Sequence, residues 1–208
     1  MPSVNDAETY MPYWLSARER QQMYEQLKTL GSLPYYSNDE VGKAWLQGDL
    51  LADFPYWHHE GAQMGMARAK VLVISNSCDI ASDNRRSMAI SMSVVPIYSS
   101  AALGSVFGSE GLSDVQINTK MDAIRKQEVA SMFFLPASGN LKCDSVADFS
   151  RVQSTPFELA VESAPMRLEV LSQPGHWLLL VKLAIHFCRL RDEVRRGLGS
   201  PSGSPAAA

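Results

Sequence analysis

The sequence predicts an α+β protein, rich in β structure, built as a small and strongly bent barrel with added helices. The first observation is the run Val71–Ile74, in which four apolar residues in succession indicate a strand buried on both faces. A second strand-rich segment, Met88–Ile97, follows after a polar connection. The third observation is that predicted strands do not alternate regularly with helices, which disfavours a doubly wound α/β sheet.

The composition is that of an ordinary globular chain. Its 208 residues suffice for one domain with a substantial core. The content of 46% hydrophobic and 20% charged residues is typical of globular proteins. The net charge of −3 disfavours a dedicated nucleic-acid binder, which would usually be basic, although a local basic patch stays compatible with it.

The cysteines and the apolar segments bear on the compartment. Cys78, Cys143 and Cys188 are odd in number and widely spaced, which is unlike a disulfide framework and favours a reducing cytoplasm. The N-terminus lacks the apolar run of a signal peptide. The most apolar segment, Trp177–Leu190, is too short to cross a bilayer and contains Lys182, so no membrane partner is predicted.

The N-terminal third is predicted to contain one helix, one short strand and a long loop. Residues 1–15 are expected to be an irregular arm, and the capping box Ser16–Glu19 begins a helix that runs to Leu30. Asp49–Phe54 is short, apolar and bounded by a proline, which indicates a strand. Tyr56–Ala69 is predicted to be a long, mobile loop.

The middle of the chain is predicted to carry the central strands and a helical insertion. Lys70–Ser75 is expected to pair antiparallel with Met88–Ile97. Residues 101–131 form the insertion, in which Asp114–Val129 is a helix with Ile117, Met121 and Ile124 on one face.

The C-terminal part is predicted to return to the sheet and to end in a helix. Met132–Leu135 and Ser145–Val152 are expected to be strands, and Met166–Val170 a short strand or the start of a helix. Pro174 suits a first helical turn, and a strongly apolar helix, Trp177–Arg195, follows. Its apolar residues are spaced for one buried stripe, namely Trp177, Leu180, Val181, Ala184, Ile185 and Cys188. The Gly, Ser, Pro and Ala tail over 197–208 is expected to be disordered.

Several short motifs, taken in order, resemble one family. They are Gly48-Asp49-Leu50, Asp53-Phe54-Pro55, Val71–Ser75, Val94–Ile97 and, later, Val146–Val152. Their order resembles that of the PemK/MazF-like proteins, toxins on an SH3-like β-barrel, many of which cut messenger RNA. The resemblance implies a barrel domain over 45–196, preceded by an N-terminal arm and helix over 1–44.

The resemblance also implies where catalytic residues would lie. RNA cutting in the family is associated with an arginine before the second strand and with a serine or threonine after the proline of the third. The matching positions here hold Ala69-Lys70 and Tyr98, and Arg68 is one place away. Metal-free RNA cleavage needs a proton acceptor and a cation for the phosphorane. Arg68 or Lys70 is the candidate cation. Tyr98, His58 and Asp79 are the candidates to move protons.

His58, Cys78 and Asp79 each have a functional and a structural interpretation. A histidine can act as a general base near neutral pH, whereas the alternative for His58 is an exposed loop residue without a role. Cys78, beside Asp79, is a candidate nucleophile. The alternative is a tight turn in which Asp79 caps backbone amides and Cys78 fills a small buried space.

A basic rim is predicted around the barrel mouth from Arg85 and Arg86, together with Arg68 and Lys70. Tyr98, with Tyr56 and Trp57, could stack bases beside that rim. The alternative is a solvated turn. No pair of cysteines or histidines has the spacing of a structural zinc motif, so neither metal nor cofactor is predicted.

Two function hypotheses follow from the residues and the resemblance. The first is a binding module of a prokaryotic or phage conflict system that has lost the usual catalytic residues and recognises a protein partner, such as an antitoxin, or weakly an RNA. The second is a metal-independent endoribonuclease toxin that cuts single-stranded RNA. The resemblance also implies a homodimer formed through the barrel, which the N-terminal arm could block or replace.

Overall fold

The computed structural model confirms the α+β class. It describes residues 18, 21, 34–38, 42, 44–60, 63–81 and 88–188. The helix predicted over 16–30, the basic pair Arg85 and Arg86, and the tail over 197–208 lie outside the described residues, apart from positions 18 and 21.

The described residues form seven strands, four α-helices and one short 3₁₀ turn. The strands are β1 Asp49–Glu60, β2 Gln63–Val73, β3 Ser91–Ser99, β4 Met132–Leu135, β5 Ser145–Asp148, β6 Gln153–Pro156 and β7 Met166–Val170. The helices are α1 Ser100–Ser109, α2 Asp114–Arg125, α3 Phe157–Glu162 and α4 Gln173–Cys188. The 3₁₀ turn is Phe149–Arg151.

The strands form one antiparallel sheet in the order β4-β5-β3-β2-β1-β7, and β6 pairs with β3 beside that path. β3 belongs to both halves of the sheet, because its first residues pair with β6 and its last three pair with β5. Among the described residues no ladder joins β4 to β7. The sheet is therefore open, and the predicted closed barrel is wrong.

The C-terminal helix lies where closure of the barrel would have brought the edge strands together. Leu178 and Ile185 of α4 share one core cluster with Phe133 of β4 and Leu168 of β7. Both edge strands are short, with four and five residues. α4 therefore shares one apolar core with both edge strands, and the segment after β4 also reaches β7, since the Asn140 side chain donates to the Leu168 carbonyl at 2.9 Å.

The central strand pair was predicted correctly. Val71 pairs with Pro96, and Val73 pairs with Val94, in antiparallel register. Residues 71–73 are completely buried. A continuous apolar run predicts such a strand because both of its faces are covered.

The predicted loop Tyr56–Ala69 is wrong, because this stretch forms most of the β1–β2 hairpin. The register runs without a break from Phe54↔Ala69 to Glu60↔Gln63. Asp53 has a positive φ of 57°, and the register shifts there between Leu51 and Phe54. This bulge bends the strand and lets the hairpin continue past the point at which a proline suggested its end.

Two further boundaries differ from the predictions, and the stretch after β3 contains a helix. The Gly- and Ser-rich stretch after β3 forms α1, whose first turn is capped by the Ser99 hydroxyl accepting from the Ala102 amide at 3.1 Å. The predicted strand Ser145–Val152 ends at Asp148 and continues as the 3₁₀ turn. The helix predicted over Asp114–Val129 ends at Arg125.

The buried face of α4 differs from the predicted stripe. Cys188 is exposed, whereas Lys182 is buried with 1% of its surface accessible. Its ammonium donates to the carbonyls of Gln127 at 2.8 Å and Val129 at 2.5 Å. Burial lowers the pKa of Lys182 to about 7. Within the described part of the chain, no helix is long and apolar enough to cross a membrane.

A buried ion pair fixes the start of β1. Asp49 is fully buried, and its Oδ2 lies 2.9 Å from the amide of Leu46 and 2.9 Å from Nε of Arg167 in β7. Arg167 also donates to the carbonyls of Gly42 and Ala44. The pair therefore joins the first strand, the last strand and the segment before the sheet.

We expect Asp49→Ala to destabilise the fold by about 3 kcal/mol, because it leaves the largely buried Arg167 without its counterion. Urea unfolding followed by circular dichroism measures this. The matched control is Asp122→Ala, which removes an exposed pair with Arg125 and should cost less than about 1 kcal/mol. Equal costs for the two variants would contradict the role given to Asp49.

The folded-state pKa of Lys182 near 7 lies below that of an unfolded lysine, about 10.4. Between these values the unfolded chain binds more protons, so the contribution of Lys182 to stability rises with pH from about 7 to about 10. Lys182→Met should remove that part of the slope of unfolding free energy against pH. The comparison variant is Lys126→Met, which replaces an exposed lysine of the same size. A slope that survives in Lys182→Met would contradict the lowered pKa of Lys182.

Candidate functional site

The three residues predicted to stack bases, Tyr56, Trp57 and Tyr98, all line one groove, here called the hairpin groove. It has a volume of about 340 Å³ and lies between β1, the end of β3 and the 3₁₀ turn. Its lining includes three residues of β1, one of β3 and two that follow β5: Tyr56, Trp57, His58, Tyr98, Arg151 and Gln153. Four of these six were predicted as site residues from the sequence.

The β1–β2 hairpin positions the histidine of the groove. Tyr56 and His58 are two residues apart on the strand and so share one face. His58 pairs with Gly65 across the hairpin, and a Cβ at Gly65 would lie 2.9 Å from Cε1 of His58. The missing side chain at Gly65 therefore provides the space that the imidazole occupies.

The 3₁₀ turn positions Arg151. Asp148 begins the turn, and its Oδ1 accepts from the Ser150 amide at 3.0 Å and from the Ser150 hydroxyl at 2.6 Å. The Phe149 side chain is buried and stacks on Phe133, with 6.0 Å between ring centroids. With Phe149 held in the core, Arg151 is directed outward and is 64% exposed.

Arg151 is the cation of the hairpin groove. Its Nε lies 3.3 Å from Oδ2 of Asp148, which is the nearest carboxylate partner. The backbone carbonyl of Arg151 accepts from the Tyr56 hydroxyl at 3.0 Å. Most of the guanidinium surface remains open to solvent, so it can bind an anion that enters the groove.

Both phenols of the groove stay protonated at neutral pH. Burial raises the pKa of Tyr56 to about 12, and the neighbouring Tyr98 adds to the rise. Burial likewise raises the pKa of Tyr98, although the positive charge of Arg151 opposes the effect. Each hydroxyl is consequently a hydrogen-bond donor or acceptor, whereas neither is a base at neutral pH.

Gln153 ties the 3₁₀ turn to the hairpin. Its Oε1 accepts from the amide of Trp57 at 2.6 Å, and its Nε2 donates to the carbonyl of Pro55 at 3.3 Å. Nε2 also donates to the hydroxyl of Thr155 at 2.8 Å. The side-chain amide thus takes the place of a neighbouring strand beside β1 and fixes where Trp57 lies.

Arg68 and Lys70 lie on β2 and do not line the hairpin groove. The Arg68 guanidinium donates to the carbonyl of Asp53 at 2.7 Å and to that of Ser163 at 3.3 Å. It therefore braces the bulge of β1. Lys70 is exposed and precedes the buried end of the strand.

Cys78 and Asp79 lie in a turn after β2, and neither lines the hairpin groove. The turn is closed by Asn76, whose side chain accepts from the Cys78 amide at 3.0 Å and whose carbonyl accepts from the Asp79 amide at 2.9 Å. Ile80 is buried and anchors it. Cys78 is exposed, so the expected buried filler is wrong.

Sequence reasoning missed Arg151 and Gln153 as site residues. Arg151 falls within the predicted strand Ser145–Val152, and Gln153 follows it directly. The available signal was the spacing of Asp148 and Arg151, three residues apart around the apolar Phe149, which suits a short helical turn with an ion pair. In the described residues no three His, Cys, Asp or Glu side chains are grouped to hold a metal ion.

Comparison with known proteins assigns this chain to no family. No family model matches it, and no curated protein matches it. The likeness to PemK/MazF-like proteins, which rests on short motifs such as Gly48-Asp49-Leu50, therefore stays a prediction.

We expect Gly65→Ala to displace the imidazole of His58, because the new methyl group would lie too close to Cε1. The ring signals of His58 in nitrogen–proton NMR spectra, assigned with His58→Gln, should shift. The matched control is Gly139→Ala, where a Cβ meets nothing within 4 Å. Unchanged His58 signals in Gly65→Ala would contradict the contact.

Proposed function

We propose that this chain is a divergent PemK/MazF-like binding module whose hairpin groove takes a short segment of single-stranded RNA. The observation that carries the proposal is that Tyr56 and Tyr98 line one groove together with Arg151, and that Trp57 also contributes to its lining. Aromatic faces stack unpaired bases, and a guanidinium binds phosphate. The setting in a prokaryotic or phage conflict system is part of the same proposal and rests on family analogy.

The exposed aromatic surface supports base stacking in the groove. Trp57 is 45% exposed, but its side chain alternates to the face of β1 opposite Tyr56 and His58. The groove therefore offers the rings of Tyr56 and Tyr98, which are each partly exposed. A base that stacks on such a ring contributes about 1–3 kcal/mol, whatever its identity. The groove volume of about 340 Å³ lies within the usual range of ligand sites. We therefore expect the groove to bind one or two stacked nucleotides.

The charges of the groove favour weak binding that responds modestly to salt. Arg151 is the arginine among the lining residues, and the whole chain has a net charge of −3. Affinity for RNA depends on salt in proportion to the phosphates neutralised, by about 0.7 in logarithmic slope for each phosphate on a single strand. We therefore expect a logarithmic salt slope of about 0.7, the value for one neutralised phosphate, which is far below that of a basic nucleic-acid binder.

Metal-independent RNA cleavage is the second candidate function, and the presence of His58 and Arg151 in the same groove favours it. In this reaction His58 takes the proton of the 2′-hydroxyl, and the 2′-oxygen attacks phosphorus. Arg151 stabilises the phosphorane charge. The Tyr98 hydroxyl donates a proton to the leaving 5′-oxygen, and a 2′,3′-cyclic phosphate forms. Arg151 thus takes the role that the sequence suggested for Arg68 or Lys70.

Arg151→Ala should weaken binding of a fluorescent oligouridine roughly tenfold, because it removes a charge-assisted contact with phosphate. It should also lower the salt slope by about 0.7. Fluorescence anisotropy over a salt series measures both quantities. The matched control is Arg125→Ala, since Arg125 is likewise exposed and paired with an aspartate three residues earlier, but on α2.

Equal affinities for wild type and Arg151→Ala would refute the RNA-binding proposal, as would an equal loss in Arg125→Ala. The same RNA, incubated with a chelator and run on a denaturing gel, separates the two candidate functions. Cleavage by wild type that is lost in His58→Gln would favour the enzyme. Intact RNA, bound through Arg151, would favour the binding module.

A further inference from the structure

A second groove adjoins the hairpin groove and shares Tyr98 and Arg151 with it. This helix groove lies between the end of β3, helix α1 and β4, and has a volume of about 250 Å³. Its walls are mainly apolar, and those used here are Leu103, Val106, Phe107 and Met132. Because two side chains belong to both grooves, a ligand bound at Arg151 reaches either of them.

The helix groove is preformed by the start and the packing of α1. The Ser99 hydroxyl caps the helix directly after Tyr98, so the tyrosine lies where the two grooves meet. The Phe107 ring is buried, and Nζ of Lys120 lies 3.7 Å from its centroid. These contacts hold the wall in place before a ligand arrives, which lowers the cost of binding.

The size of the helix groove favours a single ring system. Its volume of about 250 Å³ is below the roughly 300–1,000 Å³ of sites for drug-sized ligands. A planar group between apolar walls and the ring of Tyr98 would bury its faces and leave its edge for hydrogen bonds. A nucleobase of a bound RNA has this shape.

The two grooves differ in charge, and the difference orients the ligand. The helix groove contains two carboxylates, Asp148 and Glu110, which oppose entry of a phosphate. Asp148 is engaged by Arg151 and Ser150. Glu110 is exposed at the end of α1 and forms no ion pair among the described residues. Phosphate therefore belongs at Arg151, and the uncharged base belongs beside Glu110.

We propose that the helix groove is a base-recognition subsite for guanine, in which Glu110 accepts hydrogen bonds from the base edge. This inference rests on the proposed binding of RNA in the hairpin groove. An ionised carboxylate can only accept hydrogen bonds, and guanine presents two donors side by side, its N1–H and its amino group. Uracil offers one such donor, and adenine and cytosine offer an amino group beside an acceptor, so a carboxylate discriminates among the four bases.

The test compares short oligouridine strands that carry one central guanosine, adenosine, cytidine or uridine, by fluorescence anisotropy. Wild type should bind the guanosine strand about tenfold more tightly than the adenosine strand. Glu110→Gln should lose most of this preference and keep its affinity for oligouridine. The control Glu162→Gln, an exposed carboxylate on α3, should keep the preference.

A second variant fills the groove without changing the core. Ala102 is exposed and lines the helix groove, so Ala102→Trp should reduce the affinity for the guanosine strand to that for oligouridine. Equal binding of all strands by wild type, preference for another base, or a preference that survives in Glu110→Gln would each overturn the guanine subsite. Oligouridine binding that depends on Arg151 would still support the proposed function in those cases. Loss of that dependence would refute the proposed function and this inference together.

Discussion

The ion pair between Asp49 and Arg167 holds together the part of the fold on which the candidate site depends. Burial raises the pKa of Asp49, because it disfavours the charged carboxylate, and the Leu46 amide and Arg167 oppose this effect in part. The same guanidinium binds the carbonyls of Gly42 and Ala44. The pair fixes the start of β1 against β7, and the same strand continues past the bulge into the β1–β2 hairpin.

The candidate site follows from two departures from a regular sheet. The bulge at Asp53 bends β1, and the Gln153 amide holds the far part of that strand at Trp57. The other departure is the change of partner along β3, from β6 to β5, which brings Tyr98 to the junction of the two halves. Irregular positions of this kind often re-aim side chains at functional sites.

The candidate site combines a guanidinium, which binds anions, with nearby carboxylates, which repel them. Arg151 offers a positive charge to the hairpin groove, whereas Glu110 and Asp148 make the helix groove unfavourable to anions. A ligand with a phosphate for Arg151 and an uncharged ring for the helix groove is the simplest molecule that suits the two grooves. This arrangement is compatible with an acidic chain, because only the local charge beside the ligand needs to be positive.

The sequence by itself determined the α+β class and the central strand pair, since apolar runs such as Val71–Val73 have few alternatives to a buried strand. It also supplied the aromatic residues and His58 of the site.

Tertiary structure alone decided that the polar stretch after Pro55 forms a hairpin, that Lys182 is buried and that Arg151 joins Tyr98. The physical reason is that these outcomes depend on distant partners, namely the facing strand, the carbonyls of Gln127 and Val129, and the core around Phe149. Local periodicity carries no record of such partners.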